Sequence, residues 1–207
     1  MRRLSLVLVS VLLLIATSTI FASEIREFDL KTVERIGREM NRVSQRADKG
    51  ATDAVRKQAQ QTAIAALKSR LFKIRYDFLV VDDPDRSGFL VYAMPVKPGD
   101  IVLGGWFRVT ISADGVKAER IDALARTLLP GPRPPKGYKP KPVGVSMSQI
   151  VSNRPLETCV YTSLHDKIMV YVGMVDDKKV WAFKDGNVYE MTPEYLRSLK
   201  REDSKKK

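Results

Sequence analysis

Hydrophobic positions along the chain change period twice. Within residues 24–75 they recur at spacings of three and four. Val33, Ile36, Met40, Val43 and Ala47 make one stripe, and Val55, Ala59, Ala63, Ala66, Leu67 and Leu71 make a second. This pattern predicts two helices within 29–73. Asp29 is placed to cap the first, Lys49-Gly50-Ala51 ends it, and Thr52 or Asp53 is placed to cap the second. The short connection predicts antiparallel neighbours, and the alanines allow close packing.

From residue 76 to 129 the pattern is that of strands. Runs at 76–81, 89–96, 101–103, 106–112 and 116–124 are separated by Asp82-Asp83-Pro84-Asp85, Lys97-Pro98-Gly99-Asp100 and Asp114-Gly115. An Asp-Gly pair between alternating runs signals a hairpin, and Gly104-Gly105 within a strand pattern suggests a bulge. Residues 130–142 hold six prolines, four basic residues and no acid, which predicts an extended connector and neither a helix nor a central strand. Strand runs resume at 144–151, 158–164, 168–175, 180–184 and 188–191, predicting an antiparallel meander over 143–191, then a short closing helix at 193–199. No residue-level repeat relates the two β-rich blocks. The simplest assembly is one continuous sheet carrying the helix pair on one face. The fold class expected is therefore α+β: two N-terminal helices on a mainly antiparallel sheet of hairpins and meander.

The run at 168–175 is apolar on both sides, with Ile168, Val170, Val172 and Met174 on one and Met169, Tyr171, Gly173 and Val175 on the other. Strands of this kind are covered on both faces. Either the sheet curls strongly on itself, or an aromatic patch drawn from Trp106, Tyr171, Trp181 and Tyr189 is left for a partner.

Residues 1–22 have the layout of a secretory signal peptide: Met1-Arg2-Arg3, an apolar run over 4–15, then small and polar residues ending in Phe21-Ala22. Cleavage after Ala22 is expected, with an uncleaved membrane anchor as the alternative. This leaves a single α+β domain over 23–199 and a basic disordered tail at 200–207. The protein is expected in the periplasm or secreted.

Composition bounds the rest. With 44% hydrophobic and 29% charged residues, the 207-residue chain is not a mostly disordered one. One cysteine excludes an intramolecular disulfide, and one histidine excludes a multi-histidine metal site. The formal charge is +12, and removal of residues 1–22 leaves 34 basic and 24 acidic residues, a net of +10. That charge is local: residues 24–75 are +6, the connector +4 and residues 197–207 +4, whereas 76–129 and 143–196 are each −2. Arg133, Lys136, Lys139 and Lys141 of the connector are thus candidates for contact with an anionic partner. The export signal disfavours nucleic acid.

Catalytic patterns are weak. Cys159 and His165 lie six residues apart, about 20 Å along a strand at roughly 3.3 Å per residue, too far for a thiol–imidazole dyad. Cys159 is read as a buried core thiol. Ser163, His165 and Asp166 are close in sequence without the geometry of a triad. Asp82, Asp83 and Asp85 faintly resemble a calcium loop but lack its alternating ligands and closing Glu, and Asp favours turns. No phosphate loop, nucleotide fingerprint or zinc spacing is present, and no cofactor is implied.

The stretch Gly104-Gly105-Trp106-Phe107-Arg108-Val109-Thr110-Ile111-Ser112-Ala113-Asp114-Gly115 resembles a segment of a group of uncharacterised exported proteobacterial proteins, the likeness extending from about Phe89 into the later strands. It implies a Gram-negative envelope protein and carries over no catalytic or binding residue. The expectation is a non-catalytic protein-binding module, such as an inhibitor or immunity protein against an envelope-acting enzyme or toxin. The alternatives are an accessory protein for anionic lipid or envelope polymer, and a hydrolase with dispersed carboxylates.

Overall fold

The computed structural model describes residues 25–133, 144–176 and 178–195. The protein is α+β, with helices packed on mainly antiparallel sheets. In chain order the elements are α1 (Leu30–Ser44), α2 (Ala54–Leu67), β1 (Arg75–Asp82), β2 (Phe89–Val96), β3 (Asp100–Gly104), β4 (Phe107–Ile111), β5 (Ala118–Ala123), β6 (Leu128–Pro132), β7 (Val145–Gln149), α3 (Glu157–His165), β8 (Val170–Met174), β9 (Val180–Lys184) and β10 (Asn187–Glu190). The signal segment, most of the connector and the tail lie outside the described residues, and the expected closing helix is described only at its first turn, 193–195. Among the described residues no helix is long and apolar enough to cross a membrane.

Both N-terminal helices form where the apolar spacing places them. Asp29 accepts a hydrogen bond from the Thr32 N–H at 3.1 Å, and Asp53 accepts one from the Arg56 N–H at 2.9 Å. The first stripe is buried at Val33, Ile36, Met40 and Val43. The second is buried at Ala59, Ala63 and Leu67, whereas Val55 is exposed.

The helices are not side-by-side neighbours. A four-stranded antiparallel sheet, ordered β1-β2-β4-β5, runs between them. α2 packs with Val80, Val91, Ala93, Phe107, Val109 and Ile111 on one face. α1 packs with Leu79, Val81, Leu90, Tyr92 and Met94 on the other. The connecting loop reaches round the edge of β1, where the Val80 N–H donates to the Lys49 carbonyl at 2.9 Å. Gly50 makes this wrap possible: its φ is 90°, and a Cβ there would sit 2.1 Å from the Val80 carbonyl oxygen. Burial on both faces, inferred from sequence for 168–175, belongs instead to β2 and β4 of this sheet.

The expected single sheet is three. A second four-stranded sheet is ordered β10-β9-β8-β7, and β3 and β6 form a two-stranded ribbon. Gly104-Gly105 is the passage from that ribbon into β4, and the register shift of the first sheet lies at Thr110/Ile111. β6 runs into the proline-rich segment. The Arg133 N–H donates to the Gly99 carbonyl, so alternation turns Pro130 and Pro132 outward, where no N–H is required.

The largest departure is at 158–164, which is helix and not strand. β-branched residues fill it, but tertiary packing overrides propensity. α3 is buried from Glu157 to Ser163 and lies against α1. The approach is so close that a Cβ on Gly37 would stand 2.4 Å from the Val160 Cβ. With a helix between them, β7 and β8 pair in parallel, so the segment is a β-α-β crossover that leads into the expected antiparallel meander, β8-β9-β10.

Candidate functional site

Beneath the first sheet lies a buried ionic cluster. Alternation along β4 turns Phe107, Val109 and Ile111 toward α2, which sends Arg108 to the opposite face, where it is fully buried. Its guanidinium donates to Glu157 Oε1 at 2.6 Å, to Asp122 Oδ2 at 2.7 Å and to the Arg26 carbonyl. The Tyr92 hydroxyl donates to the same Glu157 oxygen at 2.7 Å, and Arg120 donates to Asp122 Oδ1 at 2.5 Å. Phe28 lies under two guanidiniums, those of Arg26 and Arg108, at 4.7 and 4.8 Å from its centroid. Burial opposes the charge on Arg108, but the facing carboxylates outweigh it and hold the guanidinium protonated more firmly than usual. Burial, with the Glu157 charge, pushes the Tyr92 phenol well above its ordinary range. The cluster joins β2, β4, β5, α3 and the segment before α1.

A cleft of about 770 Å³ opens beside Asp122. Its walls are Ile121 to Ala123 of β5, Ile25 and Glu27, Arg70 after α2, Arg126, residues 150–153 after β7, and Asp176. Asp122 is neutralised by Arg108 and Arg120. Glu27 accepts from Ser152 at 2.5 Å and pairs with Arg154 at 3.2 Å. The side chains of Arg70 and Arg126 have no hydrogen-bond or ion-pair partner among the described residues, and neither does that of Asp176. Ile150, 52% exposed, lines the cleft, and Val175, 53% exposed, adjoins it through its N–H to the Gln149 carbonyl. The unpaired charge is thus mainly positive, beside exposed aliphatic surface.

The aromatic residues singled out from sequence divide into two sets. Trp106 is fully buried in the main core, and Trp181 is 8% exposed in the same core. Tyr171 and Tyr189 both stand opposite Ala182, on the outer face of the second sheet, half-buried. Tyr189 stacks on Tyr195 with centroids 5.2 Å apart. The two tyrosines therefore share a surface and the tryptophans do not join it. Arg133 pairs with Asp166, while Lys136, Lys139 and Lys141 lie outside the described residues.

The candidate catalytic groups are engaged elsewhere. Cys159 is in the core, as read from sequence, although the strand used to separate it from His165 is a helix. Six helical residues rise about 9 Å and turn the pair to different faces, so the separation stands on other geometry. Burial, then the Glu157 charge, raises the thiol pKa. Ser163 donates to the Val160 carbonyl at 2.8 Å, and His165 stacks on Tyr161. The aspartates of the 82–85 turn each face a guanidinium: Asp82 meets Arg56, Asp83 meets Arg26 and Arg86, and Asp85 meets Arg26. Among the described residues no group of three or more metal-ligating side chains forms.

No protein-family model, curated protein or solved structure matches this chain. The cleft arginines carry no sequence signal because Arg70 sits among other basic residues, Lys68 and Lys73, and Arg126 is a single charge in a loop. Arg108 had a usable signal, an arginine within the strand run Phe107 to Ile111, whose weight depended on knowing that β4 is covered on both sides.

Proposed function

We infer that this is an exported, non-catalytic binding protein whose partner is another protein of the cell envelope, as for an inhibitor or immunity protein against an envelope-acting enzyme or toxin. The observation carrying this reading is the cleft beside β5, where unpaired arginines meet exposed aliphatic side chains. Arginine with apolar surface is the composition of protein docking sites. Export and an envelope location rest on the N-terminal segment and on the resemblance of residues 104–115 to exported proteobacterial proteins. A photocrosslinking residue at Ile150, which lines the cleft and is exposed, in cells making the protein, tests it. A discrete adduct with one envelope protein, absent when the label is placed at exposed Val116, is expected. No adduct, or equal adducts at both sites, rejects the reading.

A second reading, attachment to anionic lipid or envelope polymer, draws on the exposed face of α1, where Lys31 and Arg35 have no partner among the described residues. Cosedimentation with vesicles containing anionic lipid, lost at high salt and absent with neutral lipid, would favour it.

A further inference from the structure

We propose that the outer edge of β5 is the docking strand of the cleft, and that it takes an extended acidic segment of the partner protein as an added fifth strand. This rests on the protein-binding reading above and names its site and its ligand chemistry.

The main chain of β5 supplies the first argument. The Leu124 N–H donates to the Trp106 carbonyl, which sets the phase of the antiparallel ladder. Asp122 and Arg120 are then turned toward β4. Ile121 and Ala123 turn their N–H and C=O groups away from it, and both line the cleft. No backbone or side-chain partner meets those groups among the described residues.

The other sheet edges supply the second. At β1 the Val80 N–H bonds to the Lys49 carbonyl, and the Phe78 carbonyl accepts from Gln60 at 2.8 Å. At β10 the Val188 N–H donates to Glu34 at 2.9 Å. These edges are closed by the protein itself, as soluble proteins commonly arrange. At β5 the register shift at Thr110/Ile111 disturbs only the far end of the strand, leaving the cleft end regular. β7 is open too, but its strand residues do not line the cleft.

Charge selects the occupant. A strand added along Ile121 and Ala123 lies in the same cleft as Arg70 and Arg126, whose guanidiniums have no carboxylate of their own. Backbone pairing would hold the segment, and acidic side chains would be chosen by the arginines. A second copy of this chain fits less well, because its β5 would bring the same pair of arginines to the cleft.

The test uses the protein isolated from the envelope and two capped peptides of eight residues, one alternating Val and Glu, the other Val and Lys. The Glu peptide is expected to bind at least about tenfold more tightly and to slow amide exchange at Ile121 and Ala123. Ile121→Pro removes an outward N–H that the native sheet does not use, and should weaken the Glu peptide about tenfold, with a lower melting temperature because Ile121 also packs against the core under α2. Should that variant unfold, Ala123→Pro repeats the test at the second outward position. Arg70→Glu with Arg126→Glu should reverse the peptide preference. Equal binding of both peptides, no protection at millimolar peptide, or indifference to both proline variants overturns the proposal. Inorganic phosphate that displaces the peptide, with no protection at Ile121 and Ala123, would make the arginines a free-anion site and also overturn it. So would a dimer that Ile121→Pro dissociates. An envelope adduct at Ile150 that survives Ile121→Pro would leave the protein-binding reading standing and remove only the strand.

Discussion

Arg108 and the pair Arg70 and Arg126 carry the same side chain in opposite conditions. Arg108 is sealed between the first sheet and α3, with Asp122 and Glu157 against it and the Arg26 carbonyl completing its donors. Arg70 and Arg126 project at the cleft with no partner among the described residues. The two places meet at Asp122, which is the floor of the cleft and the anchor of Arg108. An arginine that organises a core must have its charge answered from within, because an unanswered buried charge costs several kcal/mol. One that recognises something else must be left unanswered. Charge satisfaction thus separates architecture from recognition in a chain whose +12 formal charge, taken alone, points everywhere.

The largest expected effect tests the architectural side. Arg108→Met leaves Glu157 buried without a cation and Asp122 with Arg120 alone, and should cost about 3–5 kcal/mol in urea unfolding. Removing Glu157 as well, in Arg108→Met with Glu157→Leu, should recover part of that loss, because the apolar pair leaves one less unpaired charge. If Arg108→Met is no worse than a surface arginine change, the distinction between the two environments fails.

Gly37→Ala comes next. The new methyl group collides with Val160 and with the Glu157 carbonyl oxygen, 2.8 Å from the Cβ position. α3 must shift, and Glu157 moves with it off Arg108 and Tyr92. Overpacking of this kind costs about 1–3 kcal/mol. Thermal melting of Gly37→Ala, alone and combined with Tyr92→Phe, should show non-additive losses, since both changes act on Glu157. Strict additivity would mean that α3 absorbs the methyl group without disturbing the cluster.

How far this arrangement was legible in the sequence follows from where coverage is decided. The α1 stripe from Val33 to Val43, the Asp29 and Asp53 caps, the hairpin around Asp114-Gly115 and the α+β class depend on neighbours in sequence, and they read correctly, whereas Ala47 lies past the end of α1 and is exposed. Coverage does not. The pattern Thr158-Cys159-Val160-Tyr161-Thr162 favours a strand locally. It becomes a helix because α1 offers Gly37 as a seat for Val160, 123 residues earlier. That one helix turned the first step of the expected meander into a parallel crossover, leaving β8-β9-β10 as the meander, and brought Glu157 to Arg108. Trp106 and Trp181 looked like anchors for a partner because aromatic residues serve equally as cores. The basic connector drew attention by composition, whereas Arg70 and Arg126 become visible only when Asp122 and Glu27 of the cleft have been assigned to other cations.

A smaller effect concerns a third condition, a charge paired at the protein's own surface. Asp83 is buried, which opposes ionisation, but hydrogen bonds from Arg26, the Asp85 N–H and Arg86 outweigh burial and hold its carboxyl below the usual range. A depressed carboxylate contributes stability that is complete above its unfolded value of about 4. The contribution is lost as pH falls through the lower folded value. Urea midpoints should therefore fall in acid more steeply for the native protein than for Asp83→Asn. The variant should be less stable at neutral pH and converge on the native protein in acid. Parallel curves would show that Asp83 is not held by its guanidiniums.

The smallest effect is the most discriminating. Arg70→Ala and Arg126→Ala, singly and together, should change stability by no more than about 0.5 kcal/mol. Neither side chain gives up a partner in the folded protein. Mutual repulsion across the cleft is at most weak in water, and the changes should be additive. The same variants should lose the discrete envelope adduct read with the crosslinker at Ile150, which lines the same cleft. That combination, unchanged melting and lost capture, is what separates a recognising arginine from a structural one. A stability loss near that of Arg108→Met would instead mean that Arg70 and Arg126 answer charges within the fold, and the cleft would then be part of the architecture it was distinguished from.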